Sequence, residues 1–150
     1  MGHIPLTYNQ KVALIAWYLA HGEGLTNDQI RRLTRIRRAE QVLERVKRII
    51  PLTQDAAETW SWTGATVEPP QIGRRNPRRG HDPYEAERAA LVAFYLATRG
   101  EVYSPQIAQQ LGITRQGALR LLYSLSVCLP LYLDDRRIGR WCVLDFRDCA

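Results

Sequence analysis

The chain has 150 residues, 45% of them hydrophobic and 24% charged, which suits one medium domain or two small ones and excludes wholesale disorder, collagen-like repeats and a disulfide scaffold. Its 21 Lys+Arg against 15 Asp+Glu give a net charge of +6, and Lys11 and Lys47 are the only lysines. The positive charge therefore sits on arginine, whose planar fork suits phosphates and guanine edges.

In chain order, Tyr8, Val12, Ile15 and Leu19 recur at helical spacing until Gly22 and Gly24 stop the helix. Thr26 is placed to N-cap a short second helix with Ile30 and Leu33 inward. A third helix turns Val42, Val46 and Ile49 inward and Ala39, Glu40, Leu43 and Glu44 outward, with no Ser, Thr, Asp or Asn to cap it. Pro51 ends it, and residues 51–54 and 59–63 read as a hairpin. From Gly64 to Pro83, four prolines (Pro69, Pro70, Pro77, Pro83) and three glycines (Gly64, Gly73, Gly80) exclude a regular helix or a central strand. The division is thus 1–63, a linker over 64–83, and 84–150. The second unit reads as a helix over 84–97, a Ser104-capped helix to Leu111, a turn at Gly112, a Thr114-capped helix to about Ser126, and strands over 129–134 and 139–144.

The two units are copies. Ala13-Leu14-Ile15-Ala16-Trp17-Tyr18-Leu19-Ala20 returns 77 residues on as Ala90-Leu91-Val92-Ala93-Phe94-Tyr95-Leu96-Ala97, and the same offset aligns Gln29-Ile30 with Gln106-Ile107 and Ile36 with Ile113. A unit of about 60 residues is marginal as an independent core, so the two are expected to pack on one another or on a second chain.

Helix, helix, turn, helix and hairpin is the plan of a winged helix-turn-helix, and the expected fold is mainly α with small β wings, two such units in tandem. The run Ser104-Pro105-Gln106-Ile107-Ala108-Gln109-Gln110-Leu111-Gly112-Ile113-Thr114, continuing through Arg115-Gln116-Gly117-Ala118-Leu119-Arg120 to Arg140-Trp141-Cys142-Val143-Leu144, resembles the DeoR-like winged helix-turn-helix that also begins many WYL-domain regulators. The resemblance covers about 60 residues of the second unit and less of the first, and, as a departure from the family, no sensor or effector domain is expected after it. It implies double-stranded DNA as partner, with the helix opened by Thr114 in the major groove. Ala118, Leu122 and Leu125 face the core, leaving Arg115, Gln116, Leu119 and Arg120 toward base edges.

Residues 31–48 hold eight cations against Glu40 and Glu44, a local balance equal to the net charge of the whole chain. Two carboxylates on the first unit's reading helix repel phosphate, so Arg31, Arg32, Arg35, Arg37 and Arg38 are expected on the DNA backbone rather than on bases, joined by Thr114 and by Arg136 and Arg137 of the second wing. The competing use is internal pairing, such as Glu44 with Arg48. Arg74, Arg75, Arg78 and Arg79 of the linker resemble arms that enter the minor groove, without the full Arg-Gly-Arg-Pro core of an AT-hook.

Trp17, Trp60, Trp62 and Trp141 read as core, with one of Trp60 and Trp62 in surplus on the first wing, since strand alternation puts both on one face. That surplus, with Leu43 beside it, is a contact surface between units or subunits, and the expectation drawn from it is a homodimer on an inverted repeat. Cys128, Cys142 and Cys149 have neither Cys-x-x-Cys spacing nor a histidine partner, and no catalytic constellation is visible, so no metal, cofactor or enzymatic activity is expected. The longest apolar stretch, Val12 to Ala20, is far short of the ~18 residues of a membrane span, and the N-terminus lacks a signal peptide's pattern, so the expected location is the cytoplasm, at the nucleoid, with no membrane partner. The leading functional reading is a bacterial or phage transcriptional regulator, a repressor that occupies its operator. The alternatives are an interaction scaffold in a nucleoprotein complex and an inhibitor of a nucleic-acid enzyme.

Overall fold

The computed structural model describes residues 5–65 and 84–144. The chain is mainly helical with two small antiparallel sheets, and its two halves repeat one order of elements. The first half runs α1 (Tyr8–Ala20), β1 (Leu25–Thr26), α2 (Asn27–Thr34), α3 (Ala39–Lys47), β2 (Leu52–Gln54) and β3 (Thr59–Trp62). The second runs α4 (Glu85–Arg99), β4 (Glu101–Tyr103), α5 (Ser104–Leu111), α6 (Arg115–Leu125), β5 (Leu131–Asp135) and β6 (Arg140–Val143).

Local chemistry sets most of these boundaries. Thr7 and Thr26 open α1 and α2 through capping boxes closed by Gln10 and Gln29, and Thr114 caps α6 by accepting from the Gly117 N–H at 3.0 Å. The start of α5 differs from the sequence expectation: Tyr103 holds the cap position, and Ser104 is buried inside the first turn, its N–H donating to the Gly139 carbonyl at 2.8 Å. The turns after α2 and α5 both pass through the left-handed region, at Arg35 (φ 58°) and Gly112 (φ 65°), which are 77 residues apart. A side chain there costs about 1–2 kcal/mol and glycine does not. Nothing lies within 4 Å of a Cβ built on Gly112, so Gly112→Ala is expected to lose about 1 kcal/mol from conformation alone. Arg35→Gly is expected to gain up to about 1 kcal/mol, part of the relieved strain being offset by the freer unfolded chain. Urea midpoints of the two variants, shifted in opposite directions, check both.

Two strands absent from the sequence reading complete the sheets. β1 and β4 lie between the first and second helices of their halves and pair with the hairpins in the orders β1-β3-β2 and β4-β6-β5. Leu25 stands opposite Trp60 as Val102 stands opposite Trp141, so each half fixes an aromatic at the same place.

The most extensive helix contact in the molecule joins the two repeated segments, α1 against α4. Both helices are rich in buried alanines (Ala13, Ala16, Ala86, Ala89, Ala90 and Ala93 are all essentially inaccessible), and Ile15, Leu19, Val92 and Leu96 are fully buried as well. Small side chains let the helices approach closely, and each fully buried Leu or Ile adds about 1.5–3 kcal/mol by leaving water. The resulting core is one cluster shared by both halves.

Four burial expectations are corrected. Leu43, placed outward by helical phase, is 1% exposed, and Ala39 is fully buried, because α3 is contacted by α1, α2 and α4 and so is covered over a wide arc. Leu33 is exposed, and Thr34 takes the buried position of α2, its hydroxyl donating to the Ile30 carbonyl at 2.7 Å. Tyr8 is exposed at the start of α1, with the Arg45 guanidinium 5.4 Å from its ring centre.

Candidate nucleic-acid interface

α6 is held by Ala118, Leu122 and Leu125, all buried, which turns its other face to solvent from the first turn onward. Arg115, Gln116 and Arg120 are exposed on that face, while Leu119 between them is half-buried rather than outward. Among the described residues neither arginine is in an ion pair, so both guanidiniums keep their full donor sets. Thr114 precedes them; its oxygen accepts from Gly117, which leaves the hydroxyl proton to donate outward.

The hairpin between β5 and β6 carries Arg136 and Arg137 exposed at its tip. Its acids are structural: Asp135 accepts from the Arg137 N–H at 2.9 Å and closes the turn, and Asp134 takes Arg140 at 2.9 Å. Arg140 also meets Glu101 across the sheet at 2.6 Å, and that hydrogen bond, with the neighbouring negative charges, pushes its pKa above the ordinary arginine value. Arg140 is thereby committed to the sheet, and the tip arginines are not.

In the first half the eight cations of 31–48 divide between two uses. Arg31 has internal partners: it pairs with Asp28 at 2.9 Å and Glu40 at 4.0 Å and donates to the Arg37 carbonyl at 3.2 Å, all at the surface. Lys47 pairs with Glu44 at 3.8 Å and lies 4.5 Å over the Trp60 ring. The expected Glu44–Arg48 pair is replaced, because Arg48 turns with Arg45 to a carboxylate of the other half. Arg32, Arg35, Arg37 and Arg38 remain exposed and outside any ion pair among the described residues, grouped about the turn between α2 and α3. The start of α3 shows Glu40 and Glu44 to solvent, and Arg38 at its N-cap makes no side-chain cap. Arg74, Arg75, Arg78 and Arg79 lie outside the described residues.

Two buried polar positions escape a composition-based reading. Glu87 of α4 is 0% exposed and accepts from Arg45 at 3.1 and 3.3 Å and from Arg48 at 3.3 Å. Arg88 beside it is 4% exposed and donates to the Leu111 carbonyl at 2.7 Å, closing the end of α5. The signal that could have found the first is helical phase: Glu87 sits one turn before Leu91 on the apolar stripe. The surplus tryptophan is also accounted for, since Trp62 sets its ring edge-on to Phe94 of α4 at 5.3 Å while Trp60 donates to Asn27 at 3.0 Å.

No three His, Cys, Asp or Glu side chains converge on a metal-sized site among the described residues. Burial pushes the Cys128 thiol up to about 11, so it is protonated at neutral pH and a poor nucleophile. No described helix is long and apolar enough to cross a membrane. Comparison with family models, curated proteins and solved structures returns no match for this chain.

Proposed function

We propose that this chain is a sequence-specific double-stranded DNA-binding regulator built from two winged helix-turn-helix units, and that it represses by occupying its operator. The observation that carries the reading is α6: a Thr-capped helix after a tight Gly112 turn, presenting Arg115, Gln116 and Arg120 without internal partners among the described residues, beside a hairpin tipped by Arg136 and Arg137. Arginine offers a bidentate fork to guanine and glutamine pairs with adenine, while the tip arginines suit flanking phosphates. The resemblance of this half to DeoR-like regulators points the same way. A bacterial cytoplasm, at the nucleoid, is the location that goes with it.

Mobility shift on random genomic fragments across a salt series tests the proposal. Retardation with a steep salt slope and enrichment of particular fragments is expected; no shift even at low salt would favour the scaffold reading instead. Within the same assay, replacing Arg32, Arg35, Arg37 and Arg38 by glutamine is expected to weaken all fragments about equally. The slope of log affinity against log salt should then fall by about 0.9 for each phosphate that is no longer neutralised.

A further inference from the structure

The contacts between the two halves map onto one another through the internal repeat. Gln10, 6% exposed near the start of α1, donates to the Ser124 carbonyl at 2.8 Å and to the Ser124 hydroxyl at 3.2 Å, at the end of α6. Its equivalent 77 residues on is Glu87, near the start of α4, which accepts from Arg45 and Arg48 at the end of α3. Arg48 is in turn the equivalent of Ser124, at the 76-residue offset that superposes Val42, Val46 and Ile49 on Ala118, Leu122 and Leu125. A contact from i to j that recurs from j to i marks a two-fold interface, ordinarily found between two copies of a chain. Here it lies inside one chain, with α1 and α4 at its apolar centre, and it gives α3 and α6 equivalent places on either side.

The junction is not interchangeable. Two second halves brought together would bury Glu87 against Ser124 with no cation, and two first halves would crowd Arg45 and Arg48 about the uncharged Gln10. Only a first half with a second satisfies both contacts. Of the surface that suggested a second chain, Leu43 is buried within this one and Trp62 is half-buried, its ring edge-on to Phe94 of the other half. The equivalent helices carry opposite chemistry: Glu40 stands where α6 has Gln116, and Glu44 where it has Arg120.

We infer, resting on the proposed DNA-binding function, that one chain is a complete two-headed binder and that its partner is an asymmetric duplex site. One half of the site is read at base edges by Arg115, Gln116 and Arg120. The other is gripped through phosphates by Arg32, Arg35, Arg37 and Arg38, with the acidic face of α3 giving no purchase on bases. Selection of duplexes from a random pool by the full chain, followed by light scattering and footprinting of the selected complex, tests this. One chain per duplex, a non-palindromic consensus with information on one side only, and loss of protection on the uninformative side in the Arg32, Arg35, Arg37 and Arg38 to glutamine variant are expected. A palindromic consensus occupied by two chains would overturn the inference while leaving DNA binding intact. Failure to retain any duplex at low salt would overturn the proposed function and this inference with it.

Discussion

Replacing Arg45 and Arg48 together by alanine is expected to lower the stability of the fold by about 3–5 kcal/mol. Glu87 is 0% exposed, and these two guanidiniums bind its carboxylate oxygens. Removing both leaves a buried charge without compensation, which costs far more than the pair contributes. The arginines themselves are 37% and 51% exposed, so either one can cover partly for the other. Each single variant is therefore expected to lose less than half of the double-variant loss, and the coupling between them is readable in a double-mutant cycle. Glu87→Met removes the charge at similar volume and lets both arginines return to water, and it is expected to be the mildest of the set. Urea denaturation with unchanged slope measures all four. A double variant within 1 kcal/mol of the parent would show that Glu87 does not need its cations.

Arg115→Ala, Gln116→Ala and Arg120→Ala are each expected to lose about 1–3 kcal/mol on the preferred duplex and to relax the sequence at the positions they touch. Their side chains lie on an exposed helix face whose opposite side is locked by Ala118, Leu122 and Leu125, so truncation leaves the core undisturbed. Stability should change by no more than about 0.5 kcal/mol, as for ordinary surface substitutions. Arg137→Ala, at the hairpin tip, is expected to weaken preferred and random duplexes alike. Titration of selected and scrambled duplexes by fluorescence anisotropy separates the two patterns. Unchanged affinity and selectivity in all three α6 variants would remove this helix as the reader.

The sequence by itself determined what local chemistry determines. The repeat, the helices with their 3.6-residue apolar spacing, the caps at Thr26 and Thr114, the turn at Gly112 and the exposed cations of α6 and the second hairpin were legible, because each is settled within a few residues by sterics, capping and phase. β1 and β4 were not, since two and three residues are too few to show alternation and these segments become strands only when a hairpin comes alongside. Leu43 and Ala39 were misplaced for a related reason: periodicity predicts one apolar face, and α3 is covered from several directions by helices distant in sequence. The Arg31 pairs and the turning of Arg45 and Arg48 toward Glu87 likewise depend on which carboxylates the fold brings within reach. What covers the apolar face of each repeat was the largest question the sequence left open. A hydrophobic stripe requires a partner but does not name one, and only the packing of α1 on α4 decided that the partner is the other half of the same chain.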